Sequence, residues 1–537
     1  MIYGFFSKNK KMTCLIICWL VCSCSLTGCK SPAEYKDEAD KKVYNIIDSK
    51  WQEDFGGKAN YRISDVAPSP NDIQIEKKVP PSGVLTLPQA VTIATAYNRG
   101  YQTEKETLYL SALTLTGVRH DFEIQFFGGA DAGYGKRGND EAIGSGAEFG
   151  FNQLLATGTR ISTAVSAAWV DVLTGNLRSG MTKVLSASIE QPLLRGSDRA
   201  VVLENLTQAE RDALYQVRLF NRFRKTFVVE IMSQYYRVLR LYDVMKNARN
   251  NYDTLCGVYE RAGKLAEAGR LPLFEFEQAE QDKLQAWDGF VQAEKLYKQG
   301  LDEFKLQLSL PPTVQLQLDP NELEALRPMM AKGPQFSEDE AIDTALVSRL
   351  DLANSADAVT DAERKVFVAA DGLRADLTLT ASTTQVSGEN ADISRMRRFR
   401  DLGQAGARLD LPLDCLAERN IFREAQITLN RRQREYEQAT DTVTLEIRQA
   451  YRDLTEATER YKTQKQALDL AQKRFDSTTL LLEYRRANTR DVLDAQKDML
   501  RAKDAATAAI VNYMTATLNF YRDAGVLEVR PDGMWEL

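Results

Sequence analysis

The side chains able to do chemistry in this chain of 537 residues are few and scattered. There is one histidine, His120, so no HExxH zinc site can be assembled, and a Ser-His-Asp site would have to run through that residue. His120 stands where a helical pattern gives way to a strand pattern, which suits an interfacial polar residue better than a general base. Gly133-Tyr-Gly-Lys-Arg-Gly138 fits GxGxxG, but no helix pattern follows to offer its N-terminus to a phosphate, so the segment reads as a loop. Asp491 and Asp494 are three apart at the start of a helical pattern and share one face; taken alone, two acids in a first turn complement the helix dipole. No nucleophile or acid–base pair converges with them. The expectation is a protein that is not an enzyme and has no cofactor or metal.

Charge and targeting signals narrow the class. Lys and Arg number 69 against 75 Asp and Glu, a net charge of −6 with no basic stripe, which argues against a nucleic-acid binder. Residues 1–28 read as a signal peptide: Lys8, Lys10 and Lys11 precede an apolar run from Cys14, and Leu26-Thr27-Gly28-Cys29 resembles a bacterial lipobox with Cys29 as the lipidated residue. Cleavage there removes three lysines and no acid, moving the charge from −6 to −9. Five of the seven cysteines lie within residues 1–29, and Cys256 and Cys415 fall on different elements, so they read as unpaired. Lys30 is not the aspartate that marks inner-membrane retention, so delivery to the outer membrane is expected. Residues 29–84, with Pro68-Ser-Pro70 and Val79-Pro-Pro-Ser82, read as an extended tether behind the lipid. No later run of 18 apolar residues predicts a membrane-spanning helix.

The rest of the chain is written twice. Leu85-Thr-Leu-Pro-Gln-Ala90 and Gln335-Phe-Ser-Glu-Asp-Glu-Ala341 both open helices with a capping residue, at an offset of 251. Gln191-Pro192-Leu193 answers Leu411-Pro412-Leu413 at 220, and Glu275-Phe-Glu-Gln-Ala279 answers Asp491-Val-Leu-Asp-Ala495 at 216. The first copy therefore carries about 30 additional residues in its middle. The copies are placed at 85–310 and 337–527, with a linker at 311–336 and a tail at 528–537.

Each copy runs helix, strands, very long helix, shorter helix. Residues 201–266 and 419–483 lack proline and are apolar at helical spacing, each roughly 95 Å long at 1.5 Å per residue. Helices of that length are too long for a compact domain and too polar for lipid, so they require a coiled-coil assembly. Shorter helices follow at 272–309 and 489–524. Between helices the pattern alternates with period 2. Ile161, Thr163, Val165, Ala167 and Trp169 share one face, opposite Arg160, Ser162, Ala164, Ser166 and Ala168. Similar alternation occurs at 184–190, 377–385 and 406–411, and more weakly at 121–127. A soluble sandwich and a transmembrane barrel both fit the alternation; the tight Ala156-Thr-Gly158 turn and the polar, Gly-rich loops expected at 133–146 and 173–180 favour the barrel. Phe126, Phe127 and Trp169 would mark its aromatic girdle.

The double copy, the Gln-Pro-Leu and Leu-Pro-Leu junctions, and Asp491-Val-Leu-Asp-Ala-Gln496 together resemble the outer membrane efflux protein (TolC) family over residues 85–527. The resemblance implies an α+β fold with internal duplication: a homotrimer whose strands close one outer-membrane β-barrel continuous with a long periplasmic coiled-coil tunnel. Four strands per protomer is the family norm, and the longer first copy has room for six. The resemblance also assigns Asp491 and Asp494, with Glu275 in the first copy, to a carboxylate ring at the periplasmic mouth. The hairpin tips Gly269, Arg270 and Leu271, and Arg485, Arg486 and Arg490, are then positions that hold the mouth shut or dock an adaptor. Implied partners are a periplasmic adaptor, an inner-membrane pump and outer-membrane lipid. The resulting expectation is the passive exit duct of a tripartite efflux system. The duct of a type I protein-secretion system and a non-conducting lipid-anchored periplasmic scaffold are the alternatives.

Overall fold

The computed structural model describes residues 30–52, 55, 58, 61–63, 83–137, 140–172, 180–326, 337–387, 403–484, 486–530 and 535–536. The leader, with Cys29, lies outside them. The chain starts with helix α1 (Pro32–Lys50), which closes its N-terminus with a reciprocal cap: Ser31 N–H donates to Glu34 Oε2 at 2.7 Å and Glu34 N–H to Ser31 Oγ at 3.3 Å. Val43, Ile46 and Ile47 are buried, and Tyr109 donates its hydroxyl to Asp40 at 2.6 Å. The expected extended tether is therefore helical and packed over this stretch. Its charged residues hide the short apolar stripe from a composition reading. The proline pairs of residues 64–82 lie outside the described residues.

Each copy opens with two helices rather than one. Strand β1 (Val84–Leu85) leads into α2 (Leu87–Tyr97) and α3 (Arg99–His120); the second copy has α8 (Glu338–Ser348) and α9 (Leu350–Asp371). The breaks come at Asn98, whose side chain caps Tyr101 N–H at 2.9 Å, and at Arg349. After α3 come four strands, β2 (Gln125–Arg137), β3 (Asp140–Leu154), β4 (Arg160–Val172) and β5 (Gly180–Pro192); after α9 come β7 (Asp376–Ser387) and β8 (Gly403–Asp410). The short helix α4 (Arg199–Val202) then precedes α5 (Glu204–Glu267) and α6 (Leu273–Gln307), and the second copy ends in α10 (Leu416–Glu483) and α11 (Thr489–Asp523). At 64 and 68 residues, α5 and α10 are each about 100 Å long.

Among the described residues the six strands form one antiparallel meander in the order β2-β3-β4-β5-β7-β8. Residues 133–137 and 140–146, expected as loop, are strand, because β2 and β3 pair from Gln125↔Asn152 to Arg137↔Asp140. Their glycines lie on one face, and this blurs the apolar–polar alternation without breaking the ladder. Residues 121–124, read as the start of a weak strand, instead turn the chain from α3 into β2. The Ala156-Thr-Gly158 turn is tight. Gly158 has φ +78°, and a Cβ there would lie 2.6 Å from Gly196 O.

The stretch between copies is structured where it is described. It supplies β6 (Gln317–Leu318), parallel to β1, and α7 (Asn321–Leu326). The C-terminal tail forms a short antiparallel pair, β9 (Glu528–Val529) with β10 (Trp535–Glu536). The main core gathers where these pieces meet the long helices. Tyr101, Phe220, Tyr235 and Phe304 are buried there, and Tyr235 donates its hydroxyl to Leu85 O at 2.9 Å, tying α5 to the β1–β6 pair. No helix among the described residues is long and apolar enough to cross a membrane.

Candidate functional site: a two-faced sheet and two helical tips

Directly paired residues of an antiparallel ladder share a face, so the registers sort every strand residue. Phe126↔Phe151↔Thr163↔Ala187↔Thr383↔Gly403 belong to one face, and Phe127↔Gly150↔Ala164↔Ser186↔Thr384 to the other. Eight of the nine exposed large apolar side chains of the sheet fall on the first face: Phe126, Tyr134, Ile143, Phe149, Val165, Ile189, Leu379 and Leu409, with Val170 the exception. The second face is mostly Gly, Ser, Thr and Ala with a few charges, and also carries Phe127, Val170 and Val184. Aromatic residues of the apolar face sit toward both ends: Phe126, Phe149 and Phe151 near the helices, Tyr134 and Trp169 far from them. Phe127, expected beside Phe126 in the girdle, is on the small-residue face, because neighbours along a strand point opposite ways. His120 ends α3, its Nδ1 3.3 Å from Glu123 Oε2 on an exposed corner.

At the far end of the long helices the two tips close alike. In the first, Gly269 takes φ +68°, Gly269 N–H donates to Ala266 O at 2.9 Å, and Arg270 N–H reaches back to Leu265 O at 2.8 Å. In the second, Arg486 N–H donates to Leu481 O at 2.8 Å, the same closure displaced by 216 residues; Arg485 lies outside the described residues. Arg270, Arg486 and Arg490 are exposed, and Leu271 is half-buried. Glu275 and Asp491 occupy equivalent first turns. Glu275 is half-buried, while Asp491 and Asp494 are exposed on one face of α11, with Val492, Leu493 and Ala495 buried on the other. Asp491 Oδ2 accepts from Asn488 N–H at 2.9 Å, so this carboxylate caps its own helix whatever else it does. Among the described residues no ion pair joins Arg486 or Arg490 to Asp491 or Asp494 within one chain.

The repeat comparison overlooked the polar ties between the two hairpins. Lys497 Nζ of α11 meets Asp282 Oδ1 of α6 at 2.8 Å, and Gln496 donates to Asn251 at 2.9 Å. Higher up, Asn247 donates to Asp504 at 2.9 Å and Thr507 to Asp243 at 2.7 Å. Burial and the nearby Asp243 push the Asp504 carboxyl up, against the pull of Asn247 and Lys503. A signal was available in Asp282, an acid within an otherwise apolar-periodic stretch. Cys256 and Cys415 carry free thiols. Among the described residues no cluster of three His, Cys, Asp or Glu is placed to hold a metal.

No family model and no curated protein matches the sequence, whereas solved structures do match its fold. CusC, studied for its conformational changes on folding and transmembrane channel formation, superposes with TM-score 0.58 at 14% identity, over 82% of this chain and 92% of its own. The CmeC outer membrane channel of Campylobacter jejuni gives 0.57 at 14%, over 88% and 91%. The open state of the MtrE outer membrane channel of Neisseria gonorrhoeae gives 0.57 at 12%, over 82% and 88%. A mixed α/β fold shared with these outer membrane channels, along nearly their whole length, is what the sheet and the long helices of this chain amount to.

Proposed function

We propose that the chain is the outer-membrane exit duct of a tripartite efflux or export system, a passive pore formed by three copies. The observation that carries this is the sheet, which has two faces of opposite character and two unpaired edges. Among the described residues β2 pairs only with β3, and β8 only with β7. An open sheet with an apolar outer face and bare edges is stable in lipid only if the edges close on other copies. β2 and β8 run in opposite directions, so β8 of one copy pairs antiparallel with β2 of the next, and the ring closes with the small-residue face inward.

The helices support the same closure. Within the chain they lie in the order α6-α5-α11-α10. The outer two carry exposed apolar side chains, Leu284, Trp287 and Val291 on α6 and Leu470 and Leu480 on α10 with Tyr484 just past its end, which complement each other between neighbouring copies. Lipidation at Cys29 anchors the assembly in the outer membrane. Lys30 lies in the same groove as Arg119, His120 and Glu123, at the foot of β2, and this puts the start of the described chain beside the sheet. In the trimer Asp491 and Asp494, with Glu275, ring the periplasmic mouth. The tip residues Gly269, Arg270, Leu271, Arg485, Arg486 and Arg490 meet the adaptor that links the duct to an inner-membrane pump.

Single-channel recording in a planar bilayer tests the reading. Expected are cation-preferring steps blocked by multivalent cations on the helical side, with block weakened in Asp491→Asn/Asp494→Asn. Silence that persists when Arg485, Arg486 and Arg490 are neutralised would replace the duct with a non-conducting scaffold.

A further inference from the structure

Where α9 of the second repeat lies against α5 of the first, the seam is polar. Arg218 meets Asp357 at 2.6 Å, Arg364 meets Glu204 at 3.0 Å, and Asp361, 5% exposed, takes Arg211 together with the Tyr215 hydroxyl. Both partners of this seam have a counterpart elsewhere in the chain. α9 answers α3 at an offset of 251, ending at Asp371 where α3 ends at His120. α10 answers α5 at 216 from its first turn to its tip. Asp198 accepts from Ala200 N–H at 2.8 Å and Asp414 from Leu416 N–H at 3.2 Å, and the two tips close at the same offset.

Shifted by those offsets, the seam falls on two exposed faces. Glu204, Gln208, Arg211 and Arg218 become Asn420, Glu424, Ile427 and Arg434 on α10, and Asp357, Asp361 and Arg364 become Glu106, Leu110 and Leu113 on α3. All seven are exposed, and no residue of α10 from Leu416 to Thr442 is buried, whereas α5 over the matching stretch buries Ala209, Ala213, Val217 and Phe220. The changes come in pairs. Arg211 and Asp361 turn together into Ile427 and Leu110, 45% and 58% exposed, while Arg218 and Asp357 turn into Arg434 and Glu106, which keep both signs. Beside this edge of α3 runs a groove of about 800 Å³, with Tyr35, Glu38 and Lys42 of α1 on one side and Leu113, Gly117 and His120 on the other. A Cβ on Gly117 would meet nothing within 4 Å. One turn above the Arg364–Glu204 pair the counterparts are Gly117 and Leu416, and Leu416 is 56% exposed.

We propose that the edge of α3, with α1 as its lip, seats the upper part of α10 from the next copy, in the register in which α9 seats on α5 inside one copy. The proposal rests on the three-copy reading above. Ile427 closes on Leu110, Arg434 on Glu106, and Leu416 enters the groove at Gly117. The two kinds of seam do not interchange. Laid on α9 of another copy, α10 would bury Asp361 against Ile427 with no cation to meet it, and the edge of α3 laid on the α5 seam would set Leu110 against Arg211. Each copy therefore offers its α3 edge to α10 alone, a head-to-tail contact that closes a ring instead of pairing two copies face to face.

The test combines Leu110→Cys with Ile427→Cys in a Cys256→Ser/Cys415→Ser background and oxidises outer membranes carrying the full chain. Dimer and trimer bands that reduction removes are expected, at least ~tenfold stronger than for Leu110→Cys with Arg434→Cys, which is one heptad out of register. A parent trimer in which the Leu110→Cys/Ile427→Cys variant does not cross-link overturns the pairing while the pore stands. A parent that shows no trimer by mass in detergent removes the pore reading and the pairing with it. Glu106→Arg is expected to lower the trimer fraction several-fold, and Arg434→Glu added to it to restore the trimer; absence of rescue overturns that ion pair. Gly117→Trp, for which one chain has room, is expected to block the seat of Leu416 and leave a monomer of unchanged helix content. Trimerisation equal to the parent's would overturn the part assigned to the groove between α1 and α3.

Discussion

In the first hairpin, α5 and α6 meet through rings. Tyr242 packs on Tyr297 at 5.4 Å, Tyr252 on Trp287 at 4.9 Å and Tyr259 on Phe276 at 5.1 Å, with Lys283 over the Tyr259 ring at 4.1 Å. In the second, the ring contacts stop at Tyr461–Tyr513, well short of the tip, and beyond them α10 is dressed with ion pairs such as Lys473–Asp469 and Arg474–Asp498. The 216-residue offset sets Trp287 against Lys503 and Asp282 against Asp498. Asp282 is 7% exposed and reaches across to the other hairpin; Asp498 is 43% exposed and pairs within its own. Toward its tip the first hairpin is thus packed through rings, whereas the second packs through small and aliphatic side chains such as Val492, Leu493 and Ala495 and carries ion pairs on its surface. The two hairpins are tied to each other through Lys497 and Asp282.

The widest contrast lies in those two aspartates. In Lys497→Ala the second oxygen of Asp282, already without a partner, is joined by the first in a buried site, and a loss of about 2 kcal/mol is expected. Arg474→Ala, which breaks the exposed Asp498 pair, is expected to cost under ~0.5 kcal/mol. Denaturation of the detergent-extracted protein measures both. Adding Asp282→Asn to Lys497→Ala should recover most of the loss; if it does not, the tie is not electrostatic. Next comes Trp287→Ala, which removes an exposed indole and its Tyr252 contact and should cost about 1.5 kcal/mol. Lys503→Ala at the equivalent position should be neutral within ~0.5 kcal/mol. Equal effects would erase the distinction between the copies. Gly269→Ala ranks below these: at φ +68° a Cβ costs about 1 kcal/mol, read as a lowered midpoint confined to the first hairpin in hydrogen exchange.

How much of this was readable beforehand depended on whether the determining forces were local. The long helices were legible because no proline or glycine pair interrupts their periodicity: stretches read at 201–266 and 419–483 compare with α5 at Glu204–Glu267 and α10 at Leu416–Glu483. Strand β4 was legible because Ile161 through Trp169 alternate cleanly. β2 and β3 were not, since positions on one face are glycines such as Gly133, Gly135 and Gly144, which also spell loop. α1 was hidden by its charges. At the tips, repeat alignment located Asp491, Asp494 and Glu275. The Asp491 cap and the Lys497–Asp282 tie depend on geometry that residue types do not encode, one on a local turn and the other on how two hairpins sit in register.

The smallest effect concerns pH and separates the upper cross-hairpin ties from ordinary surface pairs. Burial and Asp243 raise the Asp504 carboxyl above its unfolded value of about 3.9, so between the two values the folded chain holds more protons than the unfolded one. Stability at this site therefore falls as pH rises through that window and is regained as pH drops, the reverse of a carboxylate held in a salt bridge. Asp351, whose carboxyl is lowered by Arg349 and Arg222 despite burial, behaves in the opposite sense: its contribution is present above the unfolded value and lost as pH falls through the folded one. Replacing Asp504 by Asn removes the first dependence and keeps an amide for Asn247. The midpoint of Asp504→Asn should exceed that of the parent at pH 7, and the gap should shrink toward pH 4. A gap that stays constant with pH would mean that burial and Asp243 do not act on the Asp504 carboxyl, and the tie between Asn247 and Asp504 would then be no different in kind from the exposed ion pairs on the surface of α10.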